Sequence, residues 1–433
     1  MRVGTAASLI AAAVVASAAL ATAPVAAVTR VVVASQFAPV CPGPSGPGLA
    51  RCNAIRLLNP ALNWRGVHVI AAPKGPGHKP GGGGGSTTPT GYAPLDLQTA
   101  YGLLSASAAS GTNQTVALVD AYDDPYAASN LAAYRSQWGL PILCGTVPAG
   151  TTCSGSFTKV NQSGQPSGYP RGNKSWSEEI SLDLDMVSAI CPNCSILLVE
   201  ANSASFSDLM AAEATALSFN PAAVSNSYGG SEFAGELADN SAYDSTRSAI
   251  TASAGDSGYG VEFPAADPYV VAVGGTSLPN PSNPSSQTVW SGSGSGCSAY
   301  EASPNWQPVT AICASRTVAD VSADANPATG VAVYDSYGEP GWLVFGGTSV
   351  ASPIVASVFA LAGYPGSGAS TTSTAAASVY TDASALTKVT SGSNLSGCNN
   401  YLCNAGDSLS ATSSDPGYNG PAGNGTPYGV LGF

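Results

Sequence analysis

The fold is constrained most by the alternation of short apolar runs with helical patterns after residue 91. The apolar runs have the length of strands buried on both faces, and they lie at residues 115–120, 195–200, 223–228 and 248–254. The stretches between them, such as 206–219, have helical length and end at Gly or Pro. This order predicts repeated β-α-β units and therefore an α/β fold, a mostly parallel sheet with helices on both faces.

One predicted helix, residues 176–190, carries two carboxylates one turn apart. Glu179 and Asp183 stand at i and i+4 and therefore share a face, while the apolar residues form a separate stripe. Like charges this close repel each other, so the pair either faces water, the commoner arrangement, or is partly desolvated for acid/base chemistry. Ser175 or Ser177 is expected to cap the helix.

The chain has two histidines, His68 and His78, and both precede the predicted folded domain. Acid/base chemistry within residues 92–433 must therefore use carboxylates, lysine or tyrosine. The lysines of this region lie in no recognisable serine-lysine motif, which favours carboxylates.

The surface is predicted to be poor in charge. Charged residues make up 9% of the 433 residues, against about 25% in an average soluble domain. The 26 acidic and 14 basic residues give a net charge of −12. Once the carboxylates protonate, only the 14 basic residues remain charged, and their mutual repulsion is modest. We therefore expect the folded protein to tolerate acidic pH. The lack of a basic cluster argues against nucleic acid and anionic membranes as partners.

Residues 1–27 have the pattern of a secretory signal peptide, with Arg2, an Ala/Val/Leu run and a small-residue cleavage site near Ala27. A transmembrane anchor is the alternative, disfavoured because alanines dominate the run. Residues 28–91 are predicted to be a short pro-segment and a Pro/Gly-rich linker, whose glycines 81–85 are a natural site for proteolysis. We therefore expect a secreted, extracellular protein with its folded domain at 92–433.

The ten cysteines fall into five close pairs, Cys41/Cys52, Cys144/Cys153, Cys191/Cys194, Cys297/Cys313 and Cys398/Cys403. In an exported protein, five local disulfides are the simplest interpretation. A redox or zinc half-site at residues 191–194 is the alternative, disfavoured because no second C-x-x-C or nearby histidine accompanies it.

Two further motifs place reactive groups at turns. Asp256 lies in the turn 254–258 with glycines on both sides, which suits a tight turn that presents a carboxyl group. Ser349 follows two glycines at the start of an apolar helix, where oriented N–H groups can stabilise negative charge and the hydroxyl can act as a nucleophile. Seen alone, an ordinary turn aspartate and an N-cap serine are the commoner interpretations.

Together these motifs resemble the sedolisin family of serine-carboxyl peptidases, relatives of subtilisin in fold. The resemblance covers about residues 91–433, and the matching segments occur in order at 179–192, 254–258 followed by 263–276, 316–324 and 346–353. It implies a subtilisin-like three-layer α/β/α domain. By the same resemblance, Ser349 is the nucleophile, Glu179 its general base, Asp183 the partner that orients Glu179, and Asp256 the donor of the oxyanion hole.

These side chains can perform their proposed roles only at acidic pH. A carboxylate with an ordinary pKa near 4 is a usable base in acid, and a carboxyl group donates a hydrogen bond only while protonated. We therefore predict activity at roughly pH 3 to 5 and its loss near neutrality. A Ser-His-Asp triad is excluded because this region has no histidine, and the G-x-S-x-G motif of esterases and lipases is absent.

Two positions depart from the family's C-terminal calcium site. Lys388 and Asn419 stand where relatives carry aspartates, beside Val389, Asp415 and Gly417. An ammonium group cannot be a ligand of a hard cation. We therefore expect no metal and no other cofactor, with the Lys388 ammonium in place of the ion, bonded to backbone carbonyls, Asn419 and Asp415. A shifted site that recruits Asp415 is the alternative.

Smaller departures leave the substrate open. Asp120 and Tyr228 lie where relatives often have a Glu and a Trp that extend the hydrogen-bond chain of the active site, and the region before residue 92 is shorter than the usual propeptide. The resemblance implies protein or peptide substrates, and we expect a monomeric endopeptidase. Release of tripeptides stays open, and a catalytically inactive relative that binds peptides or cell walls is the alternative.

Overall fold

The computed structural model describes Met1 and residues 36–43, 46–69, 89–365, 374–409 and 417–433. The predicted signal peptide, the glycines 81–85 and Asp415 lie outside the described residues. The described residues from Gln36 onward form one compact unit. Within these ranges, no helix has both the length and the apolar character needed to cross a bilayer. The boundary expected at residue 92 stays a prediction.

The described chain contains seventeen strands, which are β1 Phe37–Pro39, β2 Arg51–Cys52, β3 Ile55–Leu57, β4 Thr115–Ala121, β5 Phe157–Asn161, β6 Ser195–Ala201, β7 Ala223–Asn226, β8 Tyr228–Ser231, β9 Ala249–Ser253, β10 Glu262–Phe263, β11 Val271–Ser277, β12 Thr288–Val289, β13 Gly296–Ala302, β14 Ser315–Val318, β15 Val321–Asp324, β16 Val331–Asp335 and β17 Gly341–Gly346. Its helices are α1 Pro60–Asn63, α2 Pro94–Ala100, α3 Leu104–Ala109, α4 Ala127–Trp138, α5 Lys174–Ile190, α6 Phe206–Ser218, α7 Thr348–Ala362 and α8 Ala375–Thr381.

The central sheet has the strand order β12-β11-β9-β7-β4-β6-β5, and β15 pairs with β11. All of its neighbours are parallel except β12, which is antiparallel to β11. The four predicted apolar strands correspond to β4, β6, β7 and β9. The run predicted to end at Tyr228 is instead divided, because β8 leaves the central sheet and pairs with β2 and β10.

Helices cover both faces of this sheet. In β4, every residue from Val116 to Ala121 is buried, and because successive side chains point to opposite faces, both faces must be covered. Helices α5 and α7 pack against each other and against the sheet, and α6 packs against β4 and β6. The predicted three-layer α/β/α fold is confirmed.

Helix α5 begins at Lys174, with Asn173 as its N-cap; the Asn173 side chain accepts a hydrogen bond from the Trp176 N–H at 3.2 Å. The prediction that Ser175 or Ser177 caps the helix was therefore wrong, because the first turn starts earlier. All residues from Trp176 to Ile190 are buried. The acidic pair consequently does not face water, so its carboxylates lie in a low-dielectric interior.

All five predicted disulfides are present. Cys191 and Cys194 are therefore bonded to each other, and neither is a metal ligand.

The N-terminal segment, residues 36–43 and 46–69, contributes strands to two smaller sheets, one of four strands and one of three. Its strand β3 pairs with β1 and with β17, and its strand β2 pairs with β8. His68 anchors the end of the segment, because its Nδ1 lies 2.7 Å from an oxygen of the buried Asp96. The segment thus runs between β8 and β17, the two strands that lead into the candidate site.

Candidate active site

Ser349 lies in the first turn of α7, directly after β17. The connecting residue Gly347 has φ 98° and ψ 160° and is the N-cap, a backbone conformation that is essentially restricted to glycine. A Cβ atom there would lie 2.2 Å from the carbonyl oxygen of Asn53 and 2.5 Å from Oδ2 of Asp256. The turn therefore requires glycine for its conformation and for space, and Ser349 is not the cap.

The Ser349 side chain is connected to the acidic pair through Ser227. The Ser349 hydroxyl donates to the backbone carbonyl of Ser227 at 3.1 Å, and the Ser227 hydroxyl donates to Oδ1 of Asp183 at 2.7 Å. The three residues are fully buried. Helix α5 and the β7–β8 junction thus bring together groups that the sequence places far apart.

Glu179 is also fully buried, and neither of its carboxyl oxygens makes a hydrogen bond with a described residue. Burial, followed by the charges of Asp183 and Asp120, raises the pKa of Glu179 well above its usual range, and the nearby Ser349 hydroxyl partly opposes this rise. Burial and the charge of Asp120 likewise raise the pKa of Asp183. Glu179 and Ser349 are therefore neighbours in the buried interior.

Asp120, at the end of β4, completes a cluster of three buried carboxyl groups. Burial raises its pKa to about 7. Three carboxyl groups this close cannot all ionise, so they share protons as one unit. Tyr228 takes no part in this cluster, because its hydroxyl donates to Oδ1 of Asn226 at 2.7 Å.

Asp256 lies beside Ser349 and is held by Thr348. Its Oδ1 accepts from the Thr348 N–H at 2.7 Å and from the Thr348 hydroxyl at 2.9 Å, whereas its buried Oδ2 makes no hydrogen bond to the described part of the chain. Burial raises the pKa of Asp256 to about 8. In its neutral form Asp256 therefore offers an O–H donor on Oδ2. This oxygen lies next to the space that a side chain at position 347 would occupy.

That space contains the backbone carbonyl of Asn53, a residue that the sequence analysis did not identify. Its oxygen accepts from the Ser349 N–H at 2.9 Å, and the Asn53 N–H donates to the Ser227 carbonyl at 3.1 Å. Ser253 and Glu262 accept hydrogen bonds from its side-chain amide. No local pattern distinguishes these residues, because they meet only through long-range strand pairing.

The structure thus brings all four predicted residues, Ser349, Glu179, Asp183 and Asp256, to one site. It combines a hydroxyl, an acidic cluster, an N–H that donates to a carbonyl oxygen and a second carboxyl group beside the same space, which are groups that acyl transfer can use. On a three-layer α/β/α fold, this set has the arrangement expected from the resemblance to serine-carboxyl peptidases.

Comparisons with known proteins agree with this class. The chain is 31% identical over 313 residues to kumamolisin of Bacillus sp. (strain MN-32), which is 64% of this chain and 52% of kumamolisin. It is 39% identical over 115 residues to sedolisin of Pseudomonas sp. (strain 101), which is 24% of this chain and 19% of that protein. No family model matches the chain.

A solved structure of Pseudomonas sedolisin, a serine-carboxyl proteinase complexed with two molecules of pseudo-iodotyrostatin, is similar with a TM-score of 0.62 and 25% identity. The similarity covers 78% of this chain and 96% of that one. The chain is thus similar in sequence and in fold to peptidases of the sedolisin family. It spans about half the length of kumamolisin.

The C-terminal region holds the residues expected at the altered calcium position. The Lys388 ammonium donates to the backbone carbonyl of Asn424 at 2.6 Å. The Asn419 amide donates to the Val389 carbonyl at 3.1 Å, and its Oδ1 accepts from the Ala422 N–H at 3.1 Å. Gly417 precedes this turn with φ 93°. Nowhere in the described ranges do three His, Cys, Asp or Glu side chains form a group suited to a metal ion.

Proposed function

We propose that this protein is a secreted, acid-acting serine-carboxyl endopeptidase that cleaves proteins or peptides through an acyl-enzyme on Ser349. The observation that carries the proposal is the arrangement around one carbonyl oxygen. The Ser349 N–H donates to that oxygen, and Oδ2 of Asp256 borders the same space. A peptide carbonyl held in this way is polarised for attack by the adjacent hydroxyl.

The acidic cluster supplies the base. Glu179, Asp183 and Asp120 share protons, and because burial raises the pKa of each, the cluster is mostly protonated in acid. Glu179 is the member beside Ser349 and acts as the base in the fraction of molecules in which the cluster carries a negative charge. Glu179 takes the proton of Ser349 as Oγ attacks, and returns it to the leaving amine. Asp183, held by the Ser227 hydroxyl at 2.7 Å, positions Glu179 and shares its proton.

Asp256 makes the reaction depend on acid. Its neutral carboxyl donates to the developing oxyanion, and its ionised form would repel that charge. The activity is therefore expected in acid, as predicted from the sequence, and declines as Asp256 ionises.

The test is digestion of a denatured protein at pH 4 and pH 7 by the wild type, Ser349→Ala and Glu179→Ala. Ser357→Ala is a matched control, because Ser357 lies on the same helix, is buried, and has a hydroxyl without a partner among the described residues. We expect digestion at pH 4 by the wild type and the control alone. Digestion by Ser349→Ala, or digestion at pH 7 with none at pH 4, would contradict the mechanism.

The catalytically inactive relative is the alternative function. It predicts that the wild type retains a denatured peptide at pH 4 without cutting it. Equilibrium binding and product analysis in the same samples separate the two functions.

We further propose that the protein works without calcium or another cofactor, with the Lys388 ammonium in the position of the ion. The bond from Lys388 to the Asn424 carbonyl supports this proposal. Chelation with EDTA is expected to leave the melting temperature unchanged, and added calcium is expected not to raise it. A large drop on chelation that calcium reverses would overturn the proposal.

Secretion and the monomeric state are parts of the same proposal. Export from a host cell is expected to yield a protein that lacks residues 1–27, and light scattering is expected to give the mass of one chain. Retention of those residues in a membrane fraction would favour an anchor.

A further inference from the structure

Residues 51–54 of the chain lie in the candidate site with the geometry of a bound peptide. Strand β2 pairs with β8 in antiparallel register, Arg51 with Gly229 and Cys52 with Tyr228. The ladder continues with the bond from the Asn53 N–H to the Ser227 carbonyl. Cys52, Asn53 and Ala54 are 3%, 1% and 2% exposed, so this stretch fills the cleft rather than crossing above it.

The chain is also held on the other side of the Asn53–Ala54 peptide bond. Strand β3 continues from Ile55 and pairs with β17, with Ile55 opposite Gly346 and Arg56 opposite Phe345. β17 leads directly into the turn that carries Ser349. The peptide bond between Asn53 and Ala54 is therefore stretched between two strand pairings, with its carbonyl oxygen on the Ser349 N–H.

A polar pocket receives the side chain of Asn53. Its Nδ2 donates to Oγ of Ser253 at 2.9 Å and to Oε2 of Glu262 at 3.1 Å. Glu262 also accepts from Arg51 at 3.2 Å, and the same guanidinium donates to the Ser257 hydroxyl at 2.7 Å. Both acceptors suit a side chain with N–H donors. A leucine of the same size would leave the buried Ser253 and the partly buried Glu262 without these partners.

Resting on the proposed function, we infer that the Asn53–Ala54 bond is a site of self-cleavage and that the Ser253/Glu262 pocket selects asparagine on the acyl side of the scissile bond in other substrates. Oγ of Ser349 bonds to the Asn53 carbonyl carbon and its proton passes to Glu179. The C–N bond then breaks, and the Ala54 amine leaves with that proton. A water molecule hydrolyses the ester, which restores Ser349 and releases Asn53 as a carboxylic acid.

The cut also separates the segment from the site. The Cys41–Cys52 disulfide lies wholly on the N-terminal side of the cut, so none of the five disulfides joins the two products. The N-terminal product is then held without a covalent bond, by the β1–β3 and β2–β8 pairings, by the contacts of Arg51 and Asn53, and by backbone hydrogen bonds such as those from Ala50 to Ala204 and from Phe206 to Gly48. Its departure opens the cleft to other peptides.

The first experiment follows the full chain at pH 4 by intact mass and N-terminal sequencing, beside digestion of a denatured protein. We expect the wild type to acquire Ala54 as its N-terminus, whereas Ser349→Ala stays uncut. Asn53→Leu is expected to slow this cut by about 10- to 100-fold through the loss of two buried hydrogen bonds. Asn202→Leu makes the same change at an exposed asparagine and is expected to leave the rate unchanged.

A second experiment does not depend on the folding of the Asn53 variant. Peptides that copy residues 49–57, with serine at position 52 and either asparagine or leucine at position 53, are added to the acid-treated wild type. We expect cleavage after position 53, with kcat/KM at least about tenfold higher for the asparagine peptide.

The outcomes separate this inference from the proposed function. A wild type that digests denatured protein but never acquires Ala54 as its N-terminus overturns the self-cleavage site and leaves the peptidase function standing. Equal cleavage of the two peptides overturns the selection of asparagine. A wild type that digests nothing overturns the function itself, and the self-cleavage with it.

Discussion

Replacing Asp256 tests whether its protonated carboxyl is the second oxyanion donor. Thr348 donates two hydrogen bonds to Oδ1, at 2.7 and 2.9 Å, and Oδ2 has no hydrogen-bond partner in the described part of the chain. Asp256→Asn keeps the accepting Oδ1 and replaces the O–H by an N–H of similar position. Asp256→Ala removes the acceptor and the donor together.

The two variants are expected to differ strongly. Loss of one oxyanion donor lowers kcat by about 10²- to 10³-fold, or about 2.7–4 kcal/mol, and we expect this loss for Asp256→Ala at pH 4. Asp256→Asn still donates and is expected to stay within about tenfold of the wild type. Its donor does not titrate, so its activity should not fall where Asp256 ionises.

The pH at which the activity of the wild type falls depends on how deeply Asp256 is buried. Burial in the filled cleft raises the pKa of Asp256 to about 8, so the acid form, which is the donor, dominates below that pH. Entry of water after the segment leaves lowers the pKa toward its usual value near 4. We therefore expect the alkaline limit of the wild type between about pH 4 and pH 8.

The assay is kcat/KM for a peptide substrate from pH 3 to pH 9, with thermal melting as the control for folding. The expected result is an alkaline limb in the wild type that is absent, or shifted to higher pH, in Asp256→Asn. Two results would refute the reasoning: a loss at pH 4 as large in Asp256→Asn as in Asp256→Ala, or an identical alkaline limb in the wild type and Asp256→Asn.

Three further changes probe the fold and the site. Burial raises the pKa of Glu213 to about 8, so Glu213→Gln should stabilise the protein at pH 7, by roughly 3 kcal/mol at most, and leave it unchanged at pH 4; equal effects at both pH values in thermal melts would contradict this. Gly347→Ala should abolish peptide cleavage while the far-UV spectrum persists, since its Cβ would lie 2.2 Å from the bound carbonyl oxygen; retained activity would contradict the proposed space. Ser227→Ala should lower kcat about tenfold, because Asp183 loses its 2.7 Å donor, whereas an unchanged pH profile and kcat would exclude a positioning role.

The sequence predicted the central sheet because its strands are local, apolar and long. β4 and β6 begin at the predicted residues and end one residue later, and helix α6 lies within the predicted helical stretch 206–219. The local apolar pattern could not predict that the run at 223–228 is divided between β7 and β8. Tyr228 leaves the central sheet to pair with Cys52, and such pairing depends on residues remote in sequence.

The candidate catalytic groups could be identified in the sequence because each lies in a local motif with its own chemistry, and their catalytic roles stay predictions. The environment of the groups could not be identified in this way. Glu179 and Asp183 sit on a helix whose spacing also suits a solvated acidic face, and only tertiary packing shows that the whole face is buried. Asn53, Ser253 and Glu262 belong to no motif, and they meet because β2 and β8 align the N-terminal segment with the site.

Burial of carboxyl groups links the stability of the fold to the chemistry of the site. Burial raises the pKa values of Asp120, Glu213 and Asp256 to about 7, 8 and 8, so the folded protein binds more protons than the unfolded chain between about pH 4 and pH 8. Folding stability therefore falls as pH rises through this range, and the full contribution of these groups is present below about pH 4. The sparse surface charge only limits electrostatic repulsion in acid. The buried carboxyl groups go further, because they make the folded state more stable at acidic pH than at neutral pH. This stabilisation falls in the same pH range in which a protonated Asp256 can donate to an oxyanion.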